Sequence, residues 1–142
     1  MNRPPTDHAF SDSLPVLYDT HMVPLLFEPY AADLAARLRT RSLADVLEVA
    51  AGSGVVTRAL AATLPASVRI VATDLNPPML ERAAAVGTAR PVEWRQADAM
   101  ALPFADGSFD AVVCQFGVMF FPDKPHAFAE ARRVLHPGGV CL

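Results

Sequence analysis

A run of small residues follows an acidic residue in the first half of the chain, at a spacing that suits a ligand-binding turn. The segment VLEVAAGSGVVT contains Glu48, then Ala50, Gly52 and Gly54 at two-residue steps, with Ala51 between the first two. Small residues let the backbone turn tightly and let a ligand lie against the main chain. A helix beginning just after Gly54 would add free N–H groups at its positive end. The segment therefore predicts a strand-turn-helix corner that holds a nucleotide-like ligand.

The spacing of these glycines argues against a dinucleotide as that ligand. The fingerprint G-x-G-x-x-G needs its third glycine at position 57 when counted from Gly52, or its second glycine at position 56 when counted from Gly54. Thr57 and Val56 occupy these positions. An NAD-linked oxidoreductase is therefore a disfavoured alternative.

Two further carboxylates follow the next apolar runs. Asp74 ends the run VRIVATD, and a carboxylate at the end of the second strand of such a unit can accept both hydroxyls of a ribose. On this interpretation, replacing Asp74 by alanine should weaken ligand binding with little effect on folding. The competing interpretation is that Asp74 only caps a helix starting near Asn76. Asp98 follows the third run.

An alternating α/β framework is needed to bring these residues together. Short apolar runs alternate with Ala-rich helical stretches, which predicts a parallel sheet with crossover helices. The predicted strands are ADVLEVA, VRIVATD, PVEWRQA, FDAVVCQFG and GGVCL, and the predicted helices between them are VVTRALAATL, PPMLERAAAV and the stretch around PDKPHAFAEARRVL. Asn76 is expected to cap the second helix and Gly87 to end it. Open α/β sheets bind ligands at the carboxyl ends of their strands, where the acidic residues fall.

The first 42 residues lack the alternation of strands and helices that is predicted for the rest of the chain. Residues 1–10 are polar and are expected to form a flexible arm, and residues 11–42 an N-terminal helical cover. Its prolines each suit a helix start better than a helix interior; they are Pro15, Pro24 and Pro29. In its last piece Tyr30, Leu34 and Leu38 are expected to share the face that packs on a sheet.

The composition is that of one globular domain. The 142 residues are 52% hydrophobic, and 12 Lys and Arg against 15 Asp and Glu leave a formal charge of -3. This balance supplies no positive stripe for a nucleic acid, so no such partner is expected. Cys114 and Cys141 are too few for a disulfide framework or a metal site, which favours a reduced compartment. The start lacks the apolar segment of a signal peptide and no eighteen apolar residues run together, so a cytoplasmic protein without a membrane span is expected.

From about Leu43 to Leu142 the chain resembles the class I S-adenosylmethionine-dependent methyltransferases, and most closely the subgroup of ubiquinone- and menaquinone-type methyltransferases. The resemblance rests on Glu48-x-Ala50-x-Gly52-x-Gly54, on the acidic residue before LNPPML, on the stretch QADAMALPFADGSFDAVVC and on the ending PDKPHAFAEARRVLHPGGVCL. It implies a Rossmann-like, doubly wound, mostly parallel sheet. It also implies binding of S-adenosyl-L-methionine and transfer of a methyl group to a small-molecule acceptor.

The resemblance also implies roles for particular residues. Asp74 would hold the ribose, Met79 would lie near the adenine, and Asp98 would accept a hydrogen bond from the adenine amino group while the backbone N–H of Ala99 reaches a ring nitrogen. Gln115 would face the region of the methyl donor and acceptor. The implied cofactor-binding set is Tyr18, Glu48, Ala50, Ala51, Gly52, Gly54, Asp74, Leu75, Met79, Asp98, Ala99 and Gln115.

No catalytic residue is assigned. Alignment carries much of a methyl transfer from a sulfonium, and a base is needed only if the acceptor must lose a proton. His126 and His136 favour structural roles, whereas His21 lies with Tyr18 in the segment that often covers the cofactor in this family. The aromatic residues that could line an apolar substrate site, or belong to the core, are Phe116, Phe120 and Phe121. Cys114 is expected to be a buried small hydrophobe.

Family members continue past the fifth strand, so the domain at residues 43–142 is expected to be incomplete, with its C-terminal strands missing. The alternative function is therefore a cofactor-binding but inactive fragment or regulatory module. The apolar run GGVCL would form an edge strand with unpaired N–H and C=O groups. Self-association through this unfinished edge is expected.

Overall fold

A computed structural model describes residues 18–142. The arm expected at residues 1–10, the beginning of the expected cover and the side chain of Tyr18 lie outside this part. A π-helix at Tyr18–Phe27 leads directly into α1 at Glu28–Arg39. The elements that follow are β1 (Asp45–Glu48), α2 (Val55–Thr63), β2 (Arg69–Asp74), α3 (Pro77–Val86), β3 (Glu93–Gln96), β4 (Phe109–Val113), a 3-10 helix (Gly117–Phe120), α4 (Lys124–Val134) and β5 (Leu135–Cys141).

The five strands form one sheet in the order β3-β2-β1-β4-β5, and each neighbouring pair is parallel. The chain moves outward from β1 to β3 and then returns to the other side of β1 with β4. This reversal leaves a crevice above the carboxyl ends of β1 and β4, which is the point where open α/β sheets bind ligands. The predicted Rossmann-like parallel sheet is confirmed.

Side chains alternate between the two faces of the sheet, and helices cover both. Val46 and Ile70 are partners in register and share the core of one face with α1 and α2. The next pair, Leu47 and Val71, points to the opposite face and packs with Val134 of α4. Because both faces are covered at the centre of the sheet, β1, β2 and β4 are mostly buried and appear in the sequence as largely apolar runs.

The buried face of α1 agrees with the prediction at Leu38 and differs from it at Tyr30. Ala31, Ala35 and Leu38 are fully buried, whereas Tyr30 is 59% exposed and Leu34 is half-buried. The apolar stripe is rotated by one residue because small alanines allow α1 to pack closely against the sheet and α2, while the Tyr30 ring meets Phe116 edge-on at 5.2 Å between ring centroids. The prediction for Tyr30 was therefore wrong.

The prolines and helix caps also differ in part from expectation. Pro29 lies in the first turn of α1 as predicted, but Pro24 lies inside the π-helix rather than at a helix start. Asn76 occupies the N-cap position of α3 and Gly87 ends this helix, yet the Asn76 side chain makes no cap hydrogen bond. No helix in residues 18–142 is both long and apolar enough to cross a membrane.

Candidate functional site

A cavity of about 500 Å³ lies at the crevice above β1 and β4. The first turn after β1, the ends of β2 and β3, and the segment after β4 form its wall. Ten of the twelve residues proposed from the sequence line it: Glu48, Ala50, Ala51, Gly52, Asp74, Leu75, Met79, Asp98, Ala99 and Gln115. The remaining two are Tyr18, whose side chain is not described, and Gly54.

Left-handed backbone explains the two-residue step of the small residues after β1. Ala50, Gly52 and Gly54 have φ values of 56°, 57° and 88°. This region costs a residue with a side chain about 1–2 kcal/mol and costs glycine little. Among these three positions the cost falls on Ala50. This residue faces Gly117, where an added Cβ would collide with the alanine side chain.

Gly52 and Gly54 have different surroundings. A Cβ built on Gly52 would meet no atom within 4 Å, and this residue lines the cavity, so its missing side chain leaves a cradle. A Cβ on Gly54 would lie 3.0 Å from Cβ of Ala83 and 3.1 Å from Cη2 of Trp94. Gly54 therefore allows α2 to begin close to α3, and its proposed contact with the ligand is replaced by a packing role.

Asp74 ties two parts of the cavity wall together. Its carboxylate accepts hydrogen bonds from the backbone N–H of Gly52 at 2.8 Å and of Asn76 at 2.9 Å. It is only 7% exposed, and burial raises the pKa of Asp74 above its ordinary value, while the N–H groups of Asn76 and Gly52 act in the opposite direction. Removing the carboxylate would strand two backbone donors, so the expectation that alanine here barely affects folding is revised.

Glu48 is the most deeply buried carboxyl of the cavity wall, at 2% exposure. The hydroxyl of Thr57 in α2 donates a hydrogen bond to its Oε2, and the hydroxyl of Thr73 donates to its backbone oxygen at 2.9 Å. Burial raises the pKa of Glu48 to about 8, against the hydrogen bond from Thr57 and with a smaller contribution from the nearby Asp74. The carboxyl is therefore largely protonated at neutral pH.

Asp98 lies at the exposed edge of the cavity and organises the turn after β3. Its Oδ1 accepts the backbone N–H of Met100 at 2.9 Å, and its carbonyl accepts the N–H of Ala101 at 3.0 Å. Ala97 donates from its N–H to the carbonyl of Asp74 at 3.0 Å. The ends of β2 and β3 are thus held side by side at the cavity.

The segment after β4 contributes an unpaired acceptor and an aromatic wall. Gln115 donates from Nε2 to the carbonyl of Phe27 at 3.0 Å, while its buried Oε1 has no partner in the described chain. Phe116 adopts a left-handed φ of 62° and lies 5.7 Å from the Phe27 ring between centroids. The apolar residues on this side of the cavity are Phe27, Phe116, Phe120, Phe121 and Pro122.

The cavity wall carries carboxyl groups but no cationic side chains. Glu48, Asp74 and Asp98 line it, whereas its described lining includes no Lys, Arg or His. The histidines weighed as bases lie elsewhere and are exposed; they are His21, His126 and His136. Burial raises the pKa of Cys114 to about 11, so this thiol is protonated. The residue is half-buried, whereas a buried small hydrophobe was predicted. Within residues 18–142 no group of His, Cys, Asp or Glu could hold a metal ion.

Several residues of the site were missed in the sequence. Thr57 is the partner of Glu48, and its place one turn into α2 was the available signal. The other lining residues that were not proposed are mostly neighbours of proposed ones and include Ser53, Val55, Val56, Asn76, Met100 and Gly117.

The parallel sheet, the turn of small residues and the acidic cavity define a Rossmann-like α/β domain with a ligand site at its switch point. Residues 47–142 match the family model described as a methyltransferase domain, and the chain belongs to this family.

Among its relatives, an uncharacterized protein of Mycobacterium tuberculosis is 44% identical over 97 residues, which cover 67% of this chain and 34% of that protein. The demethylmenaquinone methyltransferase of Thermus thermophilus is 42% identical over 118 residues, covering 78% of this chain and 53% of that protein. The chain therefore spans about a third to a half of the length of these relatives.

The fold also matches a crystal structure from Methanococcus maripaludis, provisionally described as an S-adenosyl-L-methionine-dependent methyltransferase. The TM-score is 0.81 at 24% identity, with 99% of this chain and 65% of that chain covered. At this identity the likeness supports the fold.

Proposed function

We propose that this chain binds S-adenosyl-L-methionine and, as a methyltransferase domain, serves transfer of its methyl group to a small-molecule acceptor. The observation that carries the proposal is the acidic character of the cavity wall. Asp74, Asp98 and the protonated Glu48 line it, and its described residues include no cation. S-adenosyl-L-methionine carries a sulfonium and an ammonium against one carboxylate, so a cation of its charge is attracted to such a site. A dinucleotide would place its negative pyrophosphate there instead.

The residues present fit this ligand in shape and in hydrogen bonding. The cradle at Gly52 leaves the backbone open to a ligand, and the buried Oε1 of Gln115 is an acceptor that needs a donor. A cavity of about 500 Å³ is within the range of cofactor sites. Residues 43–142 would form the binding domain.

Different residues of the cavity wall would bind the ribose, the adenine and the ammonium group of the ligand. Asp74 would accept the ribose hydroxyls with the lone pairs that Gly52 and Asn76 leave free. Asp98 and the backbone of Ala99 would face the adenine, with Met79 and Leu75 against the ring. The ammonium group would find acceptors toward Glu48 and the turn after β1.

The bound cofactor would supply an electrophilic methyl carbon on a positively charged sulfur, with a neutral thioether as leaving group. The chain would contribute alignment and exclusion of water, because the wall near Gln115 is aromatic and apolar through Phe27, Phe116 and Phe120. Such a wall favours an apolar acceptor, and a relative named demethylmenaquinone methyltransferase points the same way. The alternative is a module that binds the cofactor without transfer.

Calorimetry with S-adenosyl-L-methionine, S-adenosylhomocysteine and NADH tests the binding part. We expect the first two ligands to bind and NADH not to bind, and an Asp74→Asn variant to bind about tenfold or more weakly, since one charged acceptor is lost. Binding of NADH alone would overturn the proposal. A transfer assay with labelled methyl groups and apolar phenols or quinols as acceptors then separates an active domain from a module that only binds.

A further inference from the structure

The loop between β3 and β4 runs from the cavity to α4, where Arg133, a residue outside the cavity wall, binds it. Arg133 donates from Nη1 to the carbonyl of Phe104 at 2.8 Å and from Nη2 to the carbonyl of Leu102 at 2.9 Å. Its Nη1 also contacts Oδ1 of Asp106 at 2.9 Å. One guanidinium therefore fixes three residues of the same loop.

Glu130, one turn earlier in α4, binds both Arg133 and the same loop. Arg133 and Glu130 together are called the clamp below. Its Oε1 accepts Nε of Arg133 at 2.7 Å, and its Oε2 accepts the backbone N–H of Leu102 at 2.8 Å. The bond from Arg133 lowers the pKa of Glu130, so the carboxylate stays charged at neutral pH. Both backbone polar groups of Leu102 are thus bound by this ion pair.

The clamp is connected to the cavity by a short, ordered stretch of backbone. Leu102 is buried, and its neighbour Ala101 donates its N–H to the carbonyl of Asp98 at 3.0 Å. Met100 donates its N–H to the carboxylate of Asp98 at 2.9 Å. Displacing Leu102 would therefore shift Asp98 and Ala99, which line the cavity.

We infer that Arg133, with Glu130, is a positioning residue that sets the base-binding edge of the cavity through the loop carrying Asp98 and Ala99. The inference rests on the proposed function, because it assigns Asp98 to the adenine. Arg133 does not itself line the cavity, so its effect on a ligand is indirect.

The adjacent Arg132 supplies a matched control. It is exposed, and residues 18–142 offer its side chain no hydrogen bond or ion pair with the loop. The same substitutions at positions 132 and 133 therefore change charge equally but disturb the clamp only at 133.

The experiment measures two ligands that differ only in the base edge that Asp98 would read. S-adenosylhomocysteine carries the 6-amino group, and S-inosylhomocysteine has an oxygen in its place. We expect the native chain to prefer the first. Arg133→Gln should lose about tenfold in affinity for S-adenosylhomocysteine and most of the preference between the two bases, because a small displacement of contacting groups is costly. Arg133→Lys should restore neither the affinity nor the base preference fully, since an ammonium cannot reach several carbonyls at once. Arg132→Gln should leave the affinity and the base preference unchanged.

The outcomes are separable. Failure of the native chain to bind S-adenosylhomocysteine would overturn the proposed function itself. Equal losses for both ligands, with the preference kept, would overturn only the positioning role and leave a general structural one. Should the Arg133 variants fail to fold by circular dichroism, Glu130→Gln, which retains an acceptor for Leu102, decides: an unchanged preference overturns the inference, and a reduced preference supports it.

Discussion

At the scale of single residues, Gly52 and Gly54 share a left-handed backbone but face different neighbours. Gly52 opens to the cavity, whereas Gly54 faces Ala83 and Trp94 at contact distance. A methyl group at either position meets the same backbone strain of about 1–2 kcal/mol. Only at Gly54 does it also meet packed side chains.

This contrast predicts opposite effects for two matched substitutions. Gly52→Ala should lower the affinity for S-adenosylhomocysteine about tenfold or more while lowering the free energy of unfolding by about 1–2 kcal/mol. Gly54→Ala should lower the free energy of unfolding by about 3 kcal/mol or more, with the affinity of the folded fraction retained. Urea unfolding and calorimetry measure the two quantities. Equal losses of affinity in both variants would contradict the assignment of Gly54 to packing.

Glu48 predicts how stability depends on pH. Its pKa is raised to about 8 by burial, so the folded state holds a proton that the unfolded state releases above about pH 4.5. Its contribution to stability is complete below that pH and is lost as the pH rises toward 8, with a slope of at most about 1.4 kcal/mol per pH unit.

Urea unfolding of the native chain and of Glu48→Gln between pH 5 and 9 isolates this contribution. The difference in unfolding free energy between them should change in favour of the variant as the pH rises and level off above about pH 8. Glu28→Gln, at the exposed start of α1, measured in the same way controls for the loss of one carboxyl group. A pH-independent difference for Glu48→Gln would rule out a proton held on this carboxyl.

Glu48 and Asp74 were accessible from sequence because each ends an apolar run that becomes a buried strand, β1 or β2. Asp98 follows β3, which is mostly exposed, and was found through the family resemblance. The partners of these residues were not accessible. Thr57 reaches Glu48 only after α2 folds over β1, and the role of Gly54 depends on Trp94, forty positions later. Sequence spacing reports local geometry, whereas these contacts depend on how distant elements pack.

At the scale of elements, α1 and the π-helix before it relate differently to the cavity. The helix α1 is fixed in the core by Ala31, Ala35 and Leu38. Of the cover predicted at residues 11–42, only Tyr18–Phe27 therefore remains a candidate within the described residues. Phe27 lines the cavity and accepts a hydrogen bond from Gln115. A ligand that engages Gln115 would therefore also affect this segment.

Hydrogen exchange tests whether the π-helix acts as a cover. Adding S-adenosylhomocysteine should slow exchange at Tyr18–Phe27 and leave the buried turns of α1 unchanged, because of these two elements only the first contributes to the cavity wall, through Phe27. Gln115→Leu should speed exchange at Phe27 without ligand, since the side-chain bond to its carbonyl is lost. Equal exchange at Tyr18–Phe27 with and without ligand would indicate a fixed packing element.

Elements with a clear hydrophobic period were predictable, and those without one were not. The strands and α2 to α4 follow runs and caps that local chemistry dictates. The buried face of α1 was misjudged because Tyr30 and Ala31 are both compatible with a helical stripe, and only the close approach of α2 selects the alanines. Pro24 lies within the π-helix, where proline patterns predicted a helix start.

At the scale of the whole molecule, β5 is bound on one side only within the described chain. It pairs with β4, and its other edge presents unpaired backbone groups along Leu135–Cys141. We propose that copies of this chain associate through that edge. Light scattering under reducing conditions should show mass rising with concentration, and Cys141→Lys should lower it because an edge lysine opposes strand pairing. A native chain that stays monomeric at every concentration would contradict the proposal.

The lack of cations in the described cavity wall bears on how a product leaves. Methyl transfer would convert the sulfonium into a neutral thioether, so attraction to the carboxylates of Asp74 and Asp98 would weaken once the reaction is complete. Salt screens that attraction, so raising the ionic strength should weaken binding of S-adenosyl-L-methionine more than binding of S-adenosylhomocysteine. The same comparison at higher pH, where Glu48 loses its proton, should widen the difference. Loss of the sulfonium charge in the reaction would then favour release of S-adenosylhomocysteine over release of S-adenosyl-L-methionine.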